Sequence, residues 1–184
     1  MTPEQLYKAT LKAKGHWGNI FLIMLYTGME ARDIYDLKPK NIKDEVIKKL
    51  RHKNKYRTAK TEVDMPIVPA LQEVFYSIPT PVSKDQPYFK YDGTWDNQKN
   101  IVSKAIKKIF ASADLKGYGA KSLRRYVGEE INSQYMLEAD KAVKLALAHS
   151  KNSKVTKQYT RPRVVDLRIL MNSLAGGIAE AGVG

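Results

Sequence analysis

Along most of this chain the apolar residues recur every three or four positions, the spacing of helices with one buried face, and only one stretch alternates as a strand does. Thr2-Pro3-Glu4-Gln5 has the makings of a helix start: threonine as N-cap, proline at the first helical position, and glutamine placed to close a capping box. That helix is expected to run to Lys14. WGNIFLIMLY, residues 17 to 26, is apolar nearly all round and reads as a helix buried at the centre of the domain. Thr27-Gly28 turns the chain, and ARDIYDL (31 to 37) reads as a short helix ended by Lys38-Pro39, because proline cannot continue it.

VIKKLRHK (46 to 53) and TEVDMPIV (61 to 68) are β-branched runs on either side of a polar segment, the pattern of a hairpin with a long loop. PALQEVFYSI (69 to 78) returns to helix, and the proline-rich stretch 79 to 93 reads as an irregular surface connection. Ile101, Val102, Ala105, Ile106, Ile109 and Phe110 form the apolar stripe of a helix whose other side carries Lys99, Lys104, Lys107 and Lys108. Residues 116 to 119 break it, 122 to 136 resume helix, a further stripe runs from Ala139 to His149, and Val164, Leu167, Met171, Leu174 and Ile178 mark the last helix. The expected fold is mainly α with a small antiparallel β-hairpin or sheet. No strand and helix alternation supports a parallel sheet, and no glycine-rich phosphate loop supports nucleotide hydrolysis.

At 184 residues the chain suits one domain with one sizeable core. No run is long and apolar enough to span a bilayer, and no signal-peptide pattern opens the chain, so a soluble intracellular protein is expected. With no cysteine, disulfides, thiolate metal sites and a thiol nucleophile are excluded. Charge changes the picture most: 32 Lys+Arg against 19 Asp+Glu leave +13, which calls for a polyanionic partner, nucleic acid before a membrane surface.

The candidate chemistry lies in a fixed order. Arg32 follows the TG turn; Lys53, Lys55 or Lys60 falls in the hairpin, with Lys53 preferred; then come K-S-L-R (121 to 124), L-A-H-S (147 to 150) and Tyr159 in a strongly basic setting. This order resembles the tyrosine recombinase (integrase) family, whose catalytic domain shows a TG turn with an arginine, a hairpin lysine, an H-x-x-R box, an L-G-H box and a nucleophilic tyrosine soon after. The likeness covers essentially the whole chain, with departures. Glu30 stands where the family arginine normally does, Lys121 replaces the histidine of the second box, and Ala148 replaces the glycine of the third.

The resemblance implies that Arg32, Lys53, Lys121, Arg124, His149 and Tyr159 form one catalytic site acting on double-stranded DNA, with no metal, cofactor or nucleotide. Tyr159 would attack a phosphate and form a 3′-phosphotyrosine, two arginine forks and His149 would hold the non-bridging oxygens, and the lysine would protonate the leaving 5′ hydroxyl. Cations beside a phenol of ordinary pKa ~10 favour its ionised form. Further implications are a homo-oligomer on DNA, a mobile-element or archaeal source, a cytoplasmic location, and 1–184 as one catalytic domain lacking the N-terminal DNA-clamping domain. Helix 164–182 would dock on a neighbouring protomer or fold back onto its own core.

Each residue also has an ordinary reading. Tyr159 can be packing on a surface helix, His149 a cation at a helix C-terminus, Arg124 and Arg125 a solvated pair, Arg32 an i,i+4 partner of Asp36, and Lys53 a simple phosphate contact. A type IB topoisomerase-like domain and a catalytically inactive DNA-binding module are the alternative readings of the whole.

Overall fold

The computed structural model describes residues 1–50, 52, 62–134 and 164–183. The chain is mostly helical with a small antiparallel sheet, as the periodicity predicts. Helix α1 spans Pro3–Lys12 and opens with the capping box: Gln5 N–H donates to Thr2 Oγ1 at 3.3 Å and Thr2 N–H to Gln5 Oε1 at 3.0 Å. It ends before Lys14 because Ala13 turns extended and Gly15, at φ +60°, begins helix α2 (Gly15–Thr27). The corner is tight, for a Cβ on Gly18 would overlap the backbone of Ala13.

Helix α2 is the central element, burying Ile20, Phe21, Ile23, Met24 and Leu25. Helix α3 (Ala31–Tyr35) is shorter than its apolar pattern suggests, and a 3₁₀ turn at Pro39–Asn41 leads into the sheet. The sheet holds three strands in the order β1-β2-β3, all antiparallel: β1 Ile42–Lys43, β2 Val46–Leu50 and β3 Glu62–Pro66, with Ile47 opposite both Ile42 and Met65. Strand β1, too short to show alternation, joins β2 through Asp44 (φ 53°) and Glu45 (φ 55°), the left-handed pair of a tight hairpin turn.

Helix α4 covers Pro69–Tyr76, and the following proline-rich stretch holds neither helix nor strand up to α5 (Trp95–Ser112). Helix α6 spans Ala120–Gln134 and α7 spans Val164–Glu180. The expected helix from Ala139 to His149 lies outside the described residues.

One core joins these elements. Phe21 of α2 meets Phe110 of α5 edge to face at 5.3 Å, and Leu123 and Val127 of α6 are buried in the same cluster. Helix α7 packs on this chain's own core through Leu167, Leu170, Met171, Leu174 and Ile178. Arg168 fastens it to the sheet, donating to the Ile67 carbonyl at 3.1 Å and pairing with Glu45 at 3.2 Å. Among the described residues no helix is long and apolar enough to cross a membrane.

Candidate active site

The TG turn is the firmest part of the site. Gly28 caps α2 in the left-handed region at φ +63°, its N–H donating to the Met24 carbonyl at 2.8 Å. Thr27 is buried; its hydroxyl donates to the Ile23 carbonyl at 2.5 Å and accepts from Met29 N–H at 3.1 Å. The threonine thus holds the chain on both sides of the glycine. Glu30 follows as the N-cap residue of α3, so Arg32 and Asp33 stand in its first turn and Asp36 is its C-cap residue.

Arg124 reaches this turn from another part of the sequence. Its Nη1 donates to the Gly28 carbonyl, joining residues 96 positions apart. Helix α6 is built to present it: Leu123, Tyr126 and Val127 face the core, which turns Arg124 to the partly buried flank. Ser122 fixes the start of the helix, accepting from Gly119 N–H at 3.1 Å and donating its own N–H to the Gly119 carbonyl at 2.8 Å. Lys121 lies one turn before Arg124 and is exposed, as is Arg125, its i,i+4 neighbour.

Arg32 takes a different direction. Its guanidinium lies over the Trp95 ring, 5.4 Å from the centroid, close enough to the Asp96 carboxyl to help hold that group below its usual range, after the larger effect of Lys99. The ordinary pairing of Arg32 with Asp36 is not formed; Asp36 is engaged instead by His52 Nδ1 at 3.2 Å. Trp95 belongs to an aromatic group with Tyr35 and Tyr91, and Tyr35 accepts from Gln98 Nε2 at 2.7 Å, so the surface under Arg32 is well supported.

Asp33 is 3% exposed and anchors the sheet to α3. It accepts the His52 N–H at 2.7 Å and pairs with Lys49 Nζ at 3.7 Å, and Lys49 is itself buried. The sequence reading missed this lysine because it weighed only Lys53, at the expected end of the first strand, and Lys55 and Lys60 in the loop beyond it. Strand parity was the available signal, since Lys49 shares the core-facing side of β2 with Ile47 while Lys48 faces solvent. Lys38, Lys40, Asn41 and His52 border a cleft of about 310 Å³ beside this pair.

The structure therefore places Arg124 against the TG turn, Lys121 beside Arg124, and Arg32 on Trp95. Lys53, its alternatives Lys55 and Lys60, His149 and Tyr159 lie outside the described residues.

No protein-family model matches the sequence, and no curated protein does. Among solved structures the chain is similar to an integrase from mycobacterium phage Brujita, with a TM-score of 0.61 and 19% identity. The match covers 96% of this chain and 55% of that integrase, so this chain spans about half its length. At this identity the likeness establishes an integrase-like fold.

Proposed function

We propose that this chain is the catalytic domain of a site-specific DNA recombinase of the tyrosine type, acting as a homo-oligomer on double-stranded DNA inside the cell. The observation that carries the reading is the bond from Arg124 to the Gly28 carbonyl, which brings the K-S-L-R box against the TG turn within an integrase-like fold. An arginine guanidinium is a permanently charged planar fork, the charge-assisted geometry that recognition of a phosphate needs.

In this reading Tyr159 Oη attacks the scissile phosphorus, loses its proton to a neighbouring base, and becomes esterified to the 3′ phosphate. The 5′ oxygen leaves with a proton from Lys53. Arg124, Arg32 and His149 hold the charge on the non-bridging oxygens, Lys121 adds a donor at the edge of the same anion, and the religation step runs the exchange in reverse without ATP.

A second reading, a DNA-binding module without catalysis, draws on two observations: Glu30 occupies the place of the family arginine, and Arg32 is stacked on Trp95. Incubation with a nicked suicide duplex separates the readings. A covalent protein–DNA adduct that Tyr159→Phe abolishes is expected. No adduct from either protein means a binding module, and an adduct with supercoil relaxation but no strand exchange means a topoisomerase-like enzyme.

A further inference from the structure

Away from the TG turn, the corner between α1 and α2 and the stretch of α5 from Ile101 to Ser112 enclose a groove of about 480 Å³. Trp17, half-buried, and Ile101, 48% exposed, form its apolar surface, and Lys12, Lys14, Lys104 and Lys108 stand around it, all four exposed. Among the described residues lining the groove there is no carboxylate. We propose that this groove docks an acidic amphipathic helix of a protein partner.

Three physical points select that occupant. The apolar floor argues against duplex DNA, whose sugar-phosphate surface gains nothing by covering tryptophan and isoleucine, while an amphipathic helix buries both with residues spaced three or four apart. Lys104 and Lys108 are an i,i+4 pair and lie on one face of α5, so carboxylates at the same spacing on an opposing helix meet both. A second copy of this chain brings its own +13 to a groove that is already cationic, so the complementary partner is acidic. The groove lies further along α5 than Trp95: Ile101 is six residues on and Lys104 nine, roughly 9 and 14 Å at the helical rise.

The test uses the full chain and a fluorescently labelled synthetic peptide, a helix with leucine at i, i+3, i+4 and i+7 flanked by glutamate, read by anisotropy. Saturable binding in the micromolar range is expected. Lys104→Glu with Lys108→Glu should weaken it about tenfold, the cost of reversing two contacting charges, and a peptide with its glutamates changed to lysine should regain affinity for that variant. Circular dichroism of the variant checks that α5 is intact. Equal binding of a peptide of the same composition with its leucines scrambled overturns the proposal, since only diffuse charge attraction would remain. Displacement of the peptide by a short duplex whose own binding needs the same two lysines overturns it in favour of DNA. Absence of peptide binding together with a dimer that Ile101→Asp dissolves overturns it in favour of a second copy.

Discussion

The guanidinium of Arg32 rests 5.4 Å above the Trp95 ring, at the start of α5, rather than beside Asp36 on its own helix. A half-exposed cation over an aromatic face is worth about 0.5–1 kcal/mol. Arg32→Met keeps the aliphatic stem and removes the cation, so it should lower stability by about that amount in urea unfolding. Trp95→Ala also strips the ring from Tyr35 and Tyr91 and should cost about 3 kcal/mol. If Arg32 serves the proposed strand transfer, Arg32→Met should suppress adduct formation while duplex affinity stays nearly unchanged, because one phosphate contact among many carries little binding. Parallel loss of affinity and adduct would assign Arg32 to DNA binding alone.

Asp33 and Lys49 form a buried ion pair, and Asp33 also holds the His52 backbone N–H. Removing one charge strands the other away from water, so Asp33→Leu is expected to cost about 3–5 kcal/mol. Lys49→Met should cost less, since Asp33 retains the His52 donor. The double change Asp33→Leu with Lys49→Met should recover much of the loss, because an apolar pair of similar volume needs no desolvation of charge. Chemical denaturation of the four proteins gives the coupling directly; strictly additive losses would show that the pair contributes nothing as a pair.

How far such features could be foreseen varies with their physical origin. Helix α1 was legible from Thr2, Pro3 and Gln5 because capping is a local bond between near neighbours. The core stripe of α5 was legible because burial of Val102, Ile106 and Ile109 repeats with the helical period. Strand β1 was not, since two residues are too few to show a period, and its turn uses Asp44 and Glu45 where asparagine and glycine would have signalled it. At the site, Arg124 could be chosen by its box, but its bond to Gly28 is a tertiary event that no local pattern contains. Arg32 likewise had an obvious partner in sequence, Asp36, and took a distant aromatic ring instead.

Gly18 offers a test of the α1–α2 corner. Alanine is favoured over glycine inside a helix by about 1 kcal/mol, so propensity alone predicts that Gly18→Ala stabilises. Its Cβ, however, would overlap the Ala13 carbonyl group, a backbone neighbour that cannot rotate aside. Overpacking of this kind costs about 1–3 kcal/mol and should win, lowering the denaturation midpoint. The same substitution at Gly176, on α7 with open space around the added carbon, should instead be neutral or stabilising. A rise in the midpoint for Gly18→Ala would mean that the two helices part easily and that the corner does not fix their angle.

Alkaline pH should loosen the core through two phenols. Burial pushes Tyr35 up to about 12 despite the opposing hydrogen bond from Gln98, and burial, with smaller help from Glu130 and Glu4, pushes Tyr126 up to about 12. In the unfolded chain both ionise near pH ~10. The folded state therefore prefers the neutral phenols, and the stability they contribute is complete below pH ~10 and is lost as the pH rises toward 12. Thermal melts should hold steady up to about pH 10 and then fall, with Tyr126→Phe reducing the slope, since that variant has no proton to lose there. Phenolate absorbance provides the independent check: Tyr35 and Tyr126, and with them Tyr26 and Tyr88, which burial also pushes up, should titrate later in the folded protein than in denaturant. Should Tyr126→Phe leave the alkaline slope unchanged, burial of that ring would not be what resists ionisation, and its place between α6 and the core would need revision.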